Sequence, residues 1–380
     1  MGGISLLHPN TFSTPCTAVH PNCYPDTDCC RILMAFLVIT IHFSPLKSMS
    51  LAANYFVAQY IARLAVPFFF CCNGFFLYRT IDSEAAFTQS LSRNCTKACK
   101  MYLFWTAVYL PILFYPVFKS IFVSHTFPLK LILSITRNFL FVGSYNHLWY
   151  LLALCVALTL LWFFRIRLHL NWRQIGLATL VLYLLGTLYD GYVPLLRTCF
   201  LLRTPVVYWP VKLYRLVFLE TRNGIFFGFP FLVMGVLIAQ KRSFRSRTFY
   251  CVVLLLSLAF GACETFLLWQ AEDFAPTAGH NMYLFLLPAV YSLFCLLLIK
   301  KVQTTDTTAR LRKFSGLLFL VHPWPIFIYG VVYSHLFHDV QFFFSSPLGY
   351  CIVCAISCVC VLLLLRLLKN PRFAWLKQFC

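Results

Sequence analysis

Apolar positions in this chain cluster into long blocks, at roughly 32–50, 53–78, 101–118, 147–164, 174–189, 224–240, 249–270, 280–299, 314–334 and 347–365. Short polar connections separate them. Blocks of this length predict about ten transmembrane helices. They are too long for the roughly ten-residue alternating strands of a membrane barrel, and backbone groups in hydrocarbon must be satisfied within their own segment. The expected fold is therefore all-α, a polytopic integral membrane protein. The longest polar connection, near 190–223, is too short for a soluble domain. The expected layout is an N-terminal tail at 1–25, disordered or a mis-called start, a membrane domain at 26–370, and a cytoplasmic C-terminal tail at 371–380. The first 25 residues hold no long apolar run with a basic lead, so a cleaved signal peptide is not expected.

Composition supports this picture, with 61% hydrophobic, 18% aromatic and only 11% charged residues over 380 positions. Such a chain is not soluble. A net charge of +20 would suggest nucleic acid in a soluble protein, so its distribution decides the partner. Alternate connections (79–100, 165–173, 241–248, 300–313, 366–380) carry 20 Lys and Arg, against 9 in the opposite set. By the positive-inside rule both termini are cytoplasmic, and the partner of these charges is the lipid bilayer rather than nucleic acid. Most of the 18 cysteines lie within apolar blocks. Cys351, Cys354 and Cys358 merely share a helix face, so packing is expected and no metal site.

The stretch "RILMAFLVITIHFSPL" raises the first chemical question. Arg31 and His42 are eleven positions apart, which on an α-helix is about 16 Å and three turns plus about 20°, so they share a face. An ionisable group at membrane depth needs a partner or a task. Arg63 falls midway along the second block, and Glu264 is the one acid well inside an apolar run; Glu264 is expected to pair with Arg63 or to orient His42. Gly74 is expected to permit close helix packing. His147 and Trp149 open a block at the outer face, Arg222 and Asn223 precede another, and His322 with Pro323 lies near the middle of the ninth, where proline bends the axis.

Five stretches then resemble, in order, the membrane-embedded acyltransferase 3 family: "YPDTDCCRILMAFLVITIHFSPL", "ARLAVPFFFCCNGFFLYR" (62–79), "HLWYLLAL" (147–154), "TRNGIFFGFPFLVMG" (221–235) and "LRKFSGLLFLVHPWPIFIY" (311–329). Within that family the chain looks most like the branch containing the membrane half of vancomycin-resistance serine racemases. The resemblance implies an enzyme of a bacterial cell membrane. It would transfer an acyl group, usually acetyl, from cytoplasmic acyl-CoA as co-substrate to a hydroxyl on an extracytoplasmic glycan, with no bound cofactor. His42 would be the catalytic residue, either as the base that a hydroxyl needs, with pKa near ambient, or as a nucleophile that is first acylated. Arg31 would bind donor phosphates through its planar fork. Lys97 and Lys100 stand where the family carries an arginine pair, a departure that replaces forks with point charges. Asn73 stands where the family more often has a small hydroxyl residue. Arg63, Asn73, His147, Trp149, Arg222, Asn223 and His322 are expected to bind substrate or line the cavity. A carrier for a small polar solute such as serine is the alternative, although no repeated halves are evident.

Overall fold

The structure, a computed structural model, describes residues 24–125, 127–192, 209, 213, 220–241, 243–275, 279–299, 306–337 and 345–379. The expected N-terminal tail up to residue 23, and most of the connection at 193–219, lie outside the described residues.

Helices dominate: α1 Pro25–Phe43, α2 Leu51–Tyr78, α3 Glu84–Phe122, α4 Leu129–Phe141, α5 Trp149–Arg167, α6 Trp172–Tyr192, α7 Gly224–Ala239, α8 Arg247–Gln270, α9 Leu286–Ile299, α10 Asp306–Val321, α11 Pro323–Phe337 and α12 Pro347–Leu367. Each expected apolar block contains helix. Among the described residues, six helices are long and apolar enough to cross a membrane, or seven if the bent pair α10–α11 is one span. The count falls short of ten for physical reasons: α7 and α9 are short apolar helices, and the first turns of α1 carry Asp26, Asp28 and Arg31. The chain is a multi-pass membrane protein, and its lipid-facing side is marked by exposed large apolar residues such as Leu255, Leu256 and Leu362.

Two helix contacts position the site. Gly74 on α2 and Gly235 on α7 face each other's helices: a Cβ on Gly74 would overlap the Leu232 carbonyl oxygen, and one on Gly235 the Cys71 carbonyl oxygen. Small residues let the two backbones approach closely, as expected for Gly74. The second contact is α1 against α10, which brings Arg31 and His42 beside the helix carrying Phe319 and His322. The C-terminal segment is not a loose tail. Pro371–Phe379 forms a short 3₁₀ helix docked on α3, with Phe379 stacked on Phe104 at 4.4 Å and its carbonyl accepting from the Trp105 indole at 3.0 Å.

Candidate functional site

Two cavities lie at opposite ends of the α1 face. The first, about 390 Å³, is lined by Arg31 from α1, Asn73 from α2, Asn94 and Lys97 from α3, Tyr150 from α5, and Arg312, Lys313 and Phe319 from α10. Two of its cations, Arg31 and Arg312, meet at one buried acid. Asp28 accepts both fork nitrogens of Arg312, Nε and Nη2, at 3.0 Å each, and Arg31 Nη1 stands 3.7 Å from the same carboxylate. Both guanidiniums also lie over the Phe76 ring, at 5.0 and 5.1 Å. One carboxylate shared by two guanidiniums leaves a surplus of positive charge, and Lys97 and Lys313 add to it. Asn73 donates to the Phe69 carbonyl at 2.9 Å and to the Tyr150 hydroxyl at 2.5 Å, which ties α2 to α5 at the wall of this basic cavity.

The second cavity is small, about 30 Å³. It is lined by Val38, Ile41 and His42 of α1, Arg63 and Val66 of α2, His147, Trp149, Arg222, Phe227, Asn281 and Phe319. Phe319 thus forms part of the wall of both cavities. His42 sits in the last turn of α1, half-buried, with its ring centroid 5.4 Å from that of His322. His147 closes the group at 5.3 Å from His322 and 5.7 Å from Phe319. Trp149 is buried rather than set in an exposed aromatic belt, and Arg222 lies 4.9 Å over its ring.

The local chain explains the His322 geometry. Pro323 has no N–H to donate to the Phe319 carbonyl four residues earlier, and the axis bends by 43° at this break. The freed carbonyl is taken by His322 Nδ1, at 2.8 Å. A carbonyl can only accept, so Nδ1 carries the proton and Nε2 keeps its lone pair. Nε2 is buried without a hydrogen-bond partner among the described residues. The expected bend is present, and the histidine repairs what the proline removes.

Arg63 sits where α2 departs from regular geometry, within a 3₁₀ turn at Ala62–Leu64 that follows directly on a π turn at Val57–Ile61. Its guanidinium donates to Gln59 Oε1 at 2.9 and 2.6 Å and to Asn281 Oδ1 at 3.0 Å. Asn281 is held by Asp190, which accepts from the Asn281 and Met282 backbone amides at 2.6 and 3.0 Å and from the Thr221 hydroxyl at 2.9 Å.

Several expected residues do other work. Glu264 neither pairs with Arg63 nor orients His42. It accepts from the Tyr192 hydroxyl and the Leu284 amide at 2.6 Å each and from the Phe285 amide at 3.0 Å. Those amides precede α9, where orphan N–H groups attract a carboxylate, so Glu264 acts as a cap supplied by a neighbouring helix. Asn223 caps α7: its Oδ1 accepts from Ile225 and Phe226 at 2.9 and 3.1 Å, which leaves that oxygen committed to backbone rather than to substrate. Lys100 is exposed and outside the basic cavity, because it lies about 60° round the helix from Lys97 on the side away from Asn94, Ala98 and Met101. Asp28, Arg312, Lys313 and Asn281 were not singled out from sequence. Asp28 had one available signal, an acid three positions before Arg31 in the helix-opening turn.

The fold and site therefore define a multi-pass helical protein with a cationic cavity and a histidine-lined cavity that meet at one aromatic wall. The chain belongs to the acyltransferase 3 family, whose model, described as an acyltransferase domain, matches residues 24–366. It is also similar to an amino-acid racemase of Enterococcus faecalis, 30% identical over 72% of this chain and 36% of that protein. A serine/alanine racemase of Enterococcus gallinarum is 28% identical over 78% of this chain and 40% of that protein. The chain thus spans less than half the length of these curated relatives. No solved structure matches it.

Proposed function

We propose that this protein transfers an acyl group, acetyl in the simplest case, from cytoplasmic acyl-CoA to a hydroxyl on an extracytoplasmic acceptor such as a cell-surface glycan. The observation that carries this reading is Phe319, one side chain shared by the walls of a cationic cavity and of the cavity holding His42. The basic loops favour placing the cationic cavity on the cytoplasmic side. There Arg31, Lys97, Arg312 and Lys313 suit the phosphates of CoA, with guanidinium forks and ammonium point charges side by side. A flexible arm of roughly membrane half-thickness then reaches past Phe319 with its thioester.

At the far end His42 supplies the base. It takes the acceptor's hydroxyl proton as the oxygen bonds to the acyl carbon; the carbon–sulfur bond breaks, and the departing thiolate receives that proton. In a general-base role His42 contributes about 10²–10⁴-fold in rate.

The test uses membranes carrying the full chain and acetyl-labelled CoA. Label should pass to an exported glycan with release of free thiol, and His42→Ala should reduce transfer by about 10³-fold while the protein stays inserted. A second reading is a carrier for a small polar solute such as serine; the relatives' names, a serine/alanine racemase among them, bear only on that class of small amino acid. Serine uptake that survives His42→Ala, with no thiol release, would decide for the carrier.

A further inference from the structure

The histidine cavity has an unusual charge balance. Two guanidiniums, Arg63 and Arg222, contribute to its wall, and no Asp or Glu among the described residues does. Arg63 is held by two neutral amides, Gln59 and Asn281. The acid behind Arg63 is Asp190, which is linked to it through Asn281 and accepts from two backbone amides, a hydroxyl and the Asn281 side chain. Arg222 meets Glu220 at 3.2 Å, but Glu220 is 44% exposed and its charge is screened by solvent. Arg222 Nε is buried and has no hydrogen-bond partner among the described residues. The acids that answer these cations, Asp190 and Glu220, both lie outside the cavity wall, so the wall itself presents two guanidiniums and an open Arg222 Nε to whatever enters, an arrangement that suits an anion.

We propose that the acceptor is a hydroxy-carboxylate, its carboxylate gripped by Arg63 and Arg222 and its hydroxyl turned to His42. This rests on the acyl-transfer reading and names the substrate class of that site. Guanidinium forks match the two oxygens of a carboxylate, and Asn281 adds an amide beside them. The cavity is small, about 30 Å³, which suits a compact, flat group such as a carboxylate. The donor's phosphates have their own cations in the other cavity. In the reaction the carboxylate only anchors; the hydroxyl oxygen bonds to the acyl carbon, the thioester's carbon–sulfur bond breaks, and the hydroxyl proton passes through His42 to the thiolate.

The experiment is isothermal titration of the full chain in nanodiscs with three probes that share hydroxyl groups and differ in charge: glycerate, glycerol and glycerol 3-phosphate. Acetyl-CoA thiol release is followed in parallel. Glycerate should bind about tenfold tighter than glycerol, the ratio that one charge-assisted hydrogen bond supplies. Arg222→Gln or Arg63→Gln should erase that preference, and Arg222→Lys should keep part of it; the wild-type comparison stands whether or not a variant folds. Equal binding of glycerate and glycerol, no binding of either, or a preference that survives both glutamine variants overturns the proposal. Tighter binding of glycerol 3-phosphate than of glycerate overturns the carboxylate assignment in favour of phosphate. Thiol release with neutral and acidic probes alike overturns the proposal and leaves acyl transfer standing. A glycerate preference without any thiol release retains the anion site and overturns acyl transfer.

Discussion

The two cavities use the same side chain in opposite ways. In the basic cavity Arg312 and Arg31 share a carboxylate of their own chain, Asp28, which is fully buried. In the histidine cavity Arg63 rests on amides and Arg222 on a solvent-exposed acid. The first pair is anchored and leaves its surplus charge to lysines at the rim. The second is poised, with its charge unspent. A buried guanidinium is therefore structural or receptive according to what its own chain has already placed against it.

The sharpest way to break this contrast is to remove the anchor. Asp28→Ala strands two guanidiniums, one of them largely buried, so thermal unfolding in detergent should show a loss of about 3 kcal/mol. The estimate sits at the low end for a buried pair because the Arg312 side chain is 37% exposed. Arg222→Met, which removes a cation whose acidic partner is exposed and leaves an apolar side chain against Trp149, should cost under about 1 kcal/mol. Equal losses would erase the distinction between anchored and poised.

A second test removes the wall between the cavities. Phe319 touches Phe69, Tyr150, His147 and His322 through ring contacts of 6.0, 5.3, 5.7 and 6.2 Å. Phe319→Ala should join the two spaces at about 3 kcal/mol of lost packing. If the wall excludes water from the thioester, acceptor-independent release of CoA thiol should rise by roughly tenfold. An unchanged ratio of hydrolysis to transfer would mean that the wall is only filler.

How much of this was readable beforehand depends on whether a relation is local. Arg31 and His42 share a face because helix pitch fixes it. Pro323 beside His322 predicts a bend because a missing N–H is a property of one residue. Asp28 meeting Arg312, by contrast, joins positions 284 apart, and no spacing rule reaches that far. Glu264 and Asn223 share one property that spacing does not reveal: each is a polar side chain beside orphaned helix amides and is satisfied by them. Asn281 stayed invisible because it stands at the edge of its apolar block, ahead of the first turn of α9, where a polar residue is not conspicuous.

The smallest expected effect discriminates within a single helix turn of α3. Lys97 lines the basic cavity together with Asn94, Ala98 and Met101, whereas Lys100 does not. Spacing of i and i+3 brings two side chains near one another, yet the helix still turns them about 60° apart, and here that angle separates cavity from surroundings. Lys97 is itself exposed, so its attraction for a phosphate is weakened by solvent and amounts to about 0.5–1 kcal/mol. Lys97→Gln should therefore raise the acyl-CoA KM by roughly threefold with kcat unchanged, since a contact made equally before and during reaction affects binding alone. Lys100→Gln should leave both constants within error, and its only expected consequence is weaker attraction to anionic lipid. Matching shifts in the two variants would show that net charge at this face, rather than the cavity wall, attracts the donor. Rising salt would then abolish the effect for both lysines together, whereas a contact inside the cavity would resist screening for Lys97 alone.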